Sequence, residues 1–167
     1  MAATTQVSLE IYLRSDFSPD AEYIDGEIKE RPVGENDHSA LQLAICIWFT
    51  QHAETWNILV RPELRIQVKP QNFLVADVAI LDATQPIERF TSHPPIAVFE
   101  VLSPENSMRD MLRKLRLYQE MGIPHVWLID PVEKIWRRFT GGGLEESSSF
   151  DHPGISFSMN AILGMVR

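Results

Sequence analysis

Two stretches of this chain are apolar almost without interruption, and each is interrupted once, by a carboxylate. Residues 73–81 read Phe-Leu-Val-Ala-Asp-Val-Ala-Ile-Leu around Asp77, and residues 96–102 read Ile-Ala-Val-Phe-Glu-Val-Leu around Glu100. Apolar runs without polar alternation are the pattern of strands covered on both faces. Such strands need helices above and below them, so the chain is expected to be an α/β (α+β) protein with a mixed central sheet flanked by helices.

The flanking sequence supplies those helices. From Asn36 or Asp37 to about Ala53, Leu41, Ala44, Ile45, Trp48 and Phe49 fall at helical spacing. A second helix is expected from Ser107, where Ser107 and Asp110 form a capping-box pattern, to Met121, with Gly122 and Pro124 beyond as stop signals. Before the first helix, Asp25-Gly26 between two short alternating runs predicts a tight hairpin, and residues 6–16 suggest a short amphipathic helix. Residues 58–68 alternate in their second half, with Pro62 marking a break or an edge position. Residues 125–129 and 134–139 read as a strand pair about an Asp130-Pro131 turn. Gly141 to Gly143 and Ser147 to Ser149 bound what reads as a mobile loop before a last strand near Ile155 to Phe157. With 167 residues and no internal repeat, a single domain spanning residues 1–167 is expected.

Composition narrows the function classes. The net charge of −8 argues against a protein that coats nucleic acid through a broad basic surface, while leaving room for an acidic metal site beside a local basic strip. The first ten residues have neither the basic nor the apolar region of an export signal, and no apolar run approaches the roughly 18 residues of a spanning helix, so a cytoplasmic protein without membrane association is expected. The single Cys46 sits in an apolar periodic segment and reads as a core residue. Phosphate-binding loops of the Gly-x-x-x-x-Gly-Lys type, nucleophile elbows and Cys-x-x-Cys pairs are absent from the sequence.

Asp77 and Glu100 therefore carry the argument. A buried, unpaired carboxylate costs several kcal/mol, so each needs a cation, a hydrogen-bond network or a raised pKa. Either one alone is as well explained by a structural ion pair. Two of them on neighbouring strands, 23 positions apart, would repel, and a divalent cation is the simplest agent that makes their proximity favourable. Oxygen donors select a hard ion, Mg²⁺ or else Mn²⁺, over zinc.

The order helix, three strands with Asp on the second and Glu on the third, helix, strand resembles the core of the restriction-endonuclease-like PD-(D/E)XK nuclease superfamily. Glu22 to Glu27 (EYIDGE), His38, Ala76-Asp77, Glu100 to Pro104, Lys114 with Tyr118 and Gly122, and Trp127 to Pro131 resemble, more narrowly, the Uma-type (Uma two) family within it. That resemblance runs from about residue 8 to 160. It implies a Mg²⁺- or Mn²⁺-dependent DNA endonuclease with Asp77 and Glu100 as metal ligands. Two positions depart from the superfamily pattern: Ala76 stands where Pro precedes the motif Asp, and Leu102 stands where Lys is expected.

Lys114, on the flank of the second helix's apolar side, is the candidate to supply the missing amine, against the alternative of an ordinary solvated Lys among Arg109, Arg113 and Arg116. Arg113 and Arg116 are candidates for phosphate contacts. The resemblance adds Glu22 and His38 as supporting residues, although an exposed strand Glu and a helix-terminal His explain them equally well. A homodimer is expected of an enzyme that cuts both strands, with Trp136 as a source of interface area. The alternative function is a catalytically inactive nuclease fold serving as a nucleic-acid-binding or assembly module, to which Leu102 and the acidic surface would belong.

Overall fold

The computed structural model describes residues 6–166. In chain order its elements are helix α1 (Leu9–Arg14), the hairpin β1 (Glu22–Ile24) and β2 (Glu27–Lys29), helices α2 (Asn36–Gln51) and α3 (Ala53–Trp56), strands β3 (Ile58–Lys69), β4 (Asn72–Asp82) and β5 (Ala97–Val101), helix α4 (Met108–Met121), strands β6 (His125–Asp130), β7 (Ile135–Thr140), β8 (Gly143–Glu146), β9 (Ser149–His152) and β10 (Ile155–Ser158), and helix α5 (Asn160–Leu163). Local chemistry fixes several boundaries. Asp25 and Gly26 both take positive φ, as the tight β1–β2 turn requires. The Ser107 side chain accepts from the Asp110 N–H at the start of α4, and Gly122 closes that helix in the left-handed conformation at φ 97°.

The main sheet has the order β2-β1-β4-β5-β6-β7-β8, with β3 also paired to β4. Its pairs are antiparallel except β5 with β6, which are parallel as the intervening α4 crossover allows. One core lies between the sheet and α2, where Leu41, Ile45 and Phe49 meet Val78, Ile80, Phe99, Trp127 and Phe150. The other lies under α4, where Met111, Leu115 and Tyr118 meet Ile66, Leu74, Ala76, Val98 and Leu128. The central sheet is thus covered on both faces, as the apolar runs require.

Two expectations need correction. Residues 141–149 do not form a loop: β8 pairs with β7 through Arg137 to Thr140, and β9 pairs with β10. Glycine and serine composition suggested a loop, but the short polar strands are held by main-chain bonds and by Phe150, which is fully buried in the α2-side core. Trp136 is also buried in that core and offers no interface area.

β4 is the strand that builds the site, because its two edges are used differently. Along one edge β3 pairs almost end to end, from Ile58 with Asp82 to Lys69 with Asn72. The other edge is shared: β5 takes Val78 to Ile80, and β1 takes only Phe73. Between them the sheet forks. At the same level the pleat changes phase, since Ile58, Val60, Val78 and Ile80 face α2 whereas Leu64, Ile66, Leu74 and Ala76 face α4. Glu63 takes a left-handed φ of 51° there, directly after Pro62, and Asp77 is skipped in the pairing with both β3 and β5. The break expected near Pro62 is therefore a kink within a continuous edge strand.

Candidate active site at the fork of the sheet

A forked sheet leaves main-chain groups without strand partners, and each buried orphan costs about 1–3 kcal/mol. Charged and amide side chains fill that role here. The Val75 N–H donates to Glu22 Oε1 (3.2 Å), and the Val75 carbonyl accepts from Lys114 Nζ (2.8 Å). Asp77 Oδ2 accepts from the Val101 N–H (2.8 Å) where β5 leaves β4, and Gln42 Nε2 donates to the Asp77 carbonyl (2.9 Å).

Extending the β4–β5 register one step past Val78 and Phe99 sets Asp77 opposite Glu100. Both are almost completely buried, and both line a cleft of about 340 Å³ at the fork. Lys114 Nζ lies 2.9 Å from Glu100 Oε1 and 2.5 Å from Glu22 Oε1, so with Val75 its three protons all have acceptors. Tyr118, one turn further along α4, donates to Glu100 Oε1 at 2.8 Å. On the α2 side, His38 Nε2 lies 3.3 Å from Asp77 Oδ2. Arg31, from the segment between β2 and α2, places Nη2 2.7 Å from Asp77 Oδ1 and Nη1 against Glu63. Gln42 Nε2 also reaches Glu63 Oε1 at 2.7 Å.

The carboxylates titrate apart. Burial alone would raise Asp77, but the hydrogen bond from His38 and the charges of Lys114, His38 and Arg31 outweigh it and hold the carboxyl below its ordinary value. Burial dominates at Glu100, with Asp77 and Glu22 adding to it and Lys114 opposing, and its pKa is pushed up to about 8. Burial works against the Lys114 charge, yet Glu100 and Glu22 overcome it and raise the pKa, so the side chain is an ammonium.

Glu22, His38, Asp77, Glu100 and Lys114, all named from the sequence, thus meet in one cleft. Lys114 is buried rather than one of a solvated basic row, and Leu102 packs partly buried against the α4-side core. Arg113 stands on the rim, half exposed and 2.6 Å from Asp25. Arg116 is exposed and does not line the cleft. The repulsion expected between Asp77 and Glu100 does not need a metal to be offset, because Arg31 and His38 stand beside Asp77 and Lys114 beside Glu100.

Arg31, Gln42 and Glu63 were missed. An arginine in a connecting segment normally marks solvated surface, and nothing in its spacing distinguishes Arg31. Glu63 had a weak signal, because the alternation of residues 58–68 fails at Pro62-Glu63.

Among the described residues no three Asp, Glu, His or Cys side chains converge closely enough to enclose a metal ion. A hard dication does not need such a cage, because Mg²⁺ retains waters and is commonly held by one or two carboxylates. The donor set fits that mode: Asp77 and Glu100 lie side by side, and Glu100 Oε2 has no hydrogen-bond partner among the described residues.

The crystal structure of a putative nuclease belonging to DUF820 from Anabaena variabilis ATCC 29413 superposes on this fold with a TM-score of 0.82 at 19% sequence identity, over 95% of this chain and 98% of that one. A DrdV–DNA complex determined by cryo-EM matches over 79% of this chain and 11% of that one, at 14% identity and a TM-score of 0.45. No curated protein matches the chain. The model of the Uma2 family, described as putative restriction endonuclease, matches residues 9–165, which is nearly the whole length, and the chain belongs to that family.

Proposed function

We propose that this protein is a divalent-metal-dependent DNA endonuclease working at the sheet fork. The observation that carries the reading is the juxtaposition of Asp77 and Glu100 on adjoining strands with the Lys114 ammonium 2.9 Å from Glu100. Asp77 Oδ1, Glu100 Oε2 and the Val101 carbonyl would hold Mg²⁺ or Mn²⁺, which supplies Lewis acidity toward the phosphate and acidifies a water.

The remaining steps belong to the protein. His38 and the Val101 N–H hold Asp77 Oδ2, leaving Oδ1 as the oxygen turned to other partners. Tyr118 and Lys114 fix Glu100 through Oε1. Lys114 stays protonated with its three protons on Glu22, Glu100 and Val75, so it acts as a fixed positive charge near the phosphate and not as a base. Attack of water in line on phosphorus, with departure of the 3′-oxygen, leaves a 5′-phosphate and a 3′-hydroxyl. Arg113 on the rim meets the DNA backbone, and Arg116 extends that contact outside the cleft. A homodimer would present two such sites to the two strands. A monomer mass independent of concentration in light scattering overturns that part of the reading.

The direct test is cleavage of plasmid and single-stranded DNA with and without Mg²⁺ or Mn²⁺, alongside calorimetric Mn²⁺ titration of the parent and of Asp77→Asn. Metal-dependent cleavage, saturable binding and loss of both in Asp77→Asn are expected. A parent protein that binds no Mn²⁺ and cuts nothing is an inactive nuclease fold.

A further inference from the structure

Arg31 has no part in the residue pattern that suggested a nuclease, yet it makes the closest contact to the oxygen a metal would need. Asp77 Oδ2 is occupied by the Val101 N–H at 2.8 Å and by His38 Nε2 at 3.3 Å. Oδ1 is the freer oxygen, and Arg31 Nη2 sits 2.7 Å from it. A dication on Oδ1 and a guanidinium at that distance repel strongly in a site this buried, so the two compete for one place.

Arg31 is also tethered so that losing Asp77 does not release it to solvent. Its other nitrogen, Nη1, is paired with Glu63, and Gln42 holds the opposite oxygen of Glu63 at 2.7 Å. Gln42 also donates to the Asp77 main-chain carbonyl, so it ties Glu63 to the β4 backbone at that residue. The guanidinium therefore has a second carboxylate on which it would remain if Nη2 left Asp77. Nη2 carries its own N–H donors, so it can pass from Asp77 to a phosphate oxygen while Nη1 stays on Glu63.

We propose that Arg31 is a two-position residue of this site: without metal its guanidinium holds Asp77 in the metal's stead, and with metal it stays on Glu63 and turns Nη2 to the DNA phosphate. The proposal rests on the nuclease reading and adds to it a residue with opposite effects on the two ligands. Removing Arg31 strengthens metal binding and weakens DNA binding, whereas loss of a merely structural ion pair would weaken both or leave both unchanged.

The test uses the full chain. Mn²⁺ affinity is measured by calorimetry for the parent, Arg31→Gln and Arg31→Lys, and DNA affinity by fluorescence anisotropy with Ca²⁺ in place of Mg²⁺ to suppress cleavage. In Arg31→Gln the Mn²⁺ Kd is expected to fall by a factor on the order of ten, while the DNA Kd rises by a similar factor. Arg31→Lys, which keeps the charge and cannot span Glu63 and Asp77 together, is expected to show the same two signs with smaller changes; it also serves if Arg31→Gln does not fold. Unchanged or weaker Mn²⁺ binding in both variants overturns the proposal while leaving the nuclease reading intact. A parent that binds no Mn²⁺ overturns both.

Discussion

β4 passes through two environments within one strand, and the contrast explains why one end is core and the other a site. Residues 78–82 are paired on one edge by β3 and, through Val78 to Ile80, on the other by β5, and apolar side chains pack above and below them. Residues 73–76 keep β3 but share the other edge between a single β1 contact and the cleft, and Asp77 pairs with neither neighbour. Where pairing is complete, main-chain polarity is cancelled locally and the side chains are free to be hydrophobic. Where it fails, Val75 and Val101 have to be met by side chains with charge or strong polarity, and these are the groups to which the proposed function assigns the chemistry.

The contrast predicts different responses to substitution. Phe99→Ala, in the paired region, removes a fully buried ring packed 5.4 Å from Phe49 and 6.1 Å from Trp136, centroid to centroid. It should cost about 3–5 kcal/mol in urea denaturation, and added Mn²⁺ should stabilise the variant by the same amount as the parent, leaving the difference unchanged. Lys114→Ala, at the fork, leaves Glu22, Glu100 and the Val75 carbonyl without their shared donor. A loss of about 3 kcal/mol is expected. Here Mn²⁺ should recover part of the loss, and cleavage should fall by a factor on the order of 10². Lys114→Arg should rescue poorly, because the larger planar guanidinium does not fit three acceptors arranged for an ammonium. A Mn²⁺ gain in Lys114→Ala no larger than that of the parent and of Phe99→Ala would break the comparison.

Smaller effects appear with pH, and the two regions should slope in opposite directions. Glu100 titrates near 8 in the folded state, against an ordinary value of 4.5, because burial favours its neutral form. Between those values the folded protein holds the extra proton, so this group's contribution to stability is complete below about 4.5 and is lost as pH rises through about 8. In chelator, Glu100→Gln should remove that decline. His125, on the fully paired strand β6, is pushed down to about 4 by burial, with Arg138 and His152 adding to the shift. The unfolded chain then holds the extra proton between about 4 and 6.5, and stability should fall on acidification through that window. His125→Gln should flatten it, as urea midpoints at pH 4.5, 5.5 and 6.5 would show; a parent-like acid slope in that variant would assign the titration to another group.

Much of this arrangement was written along the chain. The apolar runs around Asp77 and Glu100 determined two central strands, each with a carboxylate that had to be compensated. Asp25-Gly26, the Ser107 cap and Gly122 set a hairpin and a helix through local stereochemistry, and α4 carried Lys114 beside its apolar face. Such features depend on neighbours within a few residues, and sequence displays neighbours.

Only the tertiary structure decided that β1 and β5 share one edge of β4 and part around Val75 and Asp77. That separation leaves polar groups of Val75 and Val101 to be satisfied by side chains from β1, β4 and α4, from residues distant in sequence. The same geometry brings Arg31 from a connecting segment and Glu63 from a kinked strand to bear on Asp77, 46 and 14 positions away in sequence. No local propensity encodes those distances, because what selects an arginine in that segment is the field of a carboxylate that becomes its neighbour only once the sheet has formed.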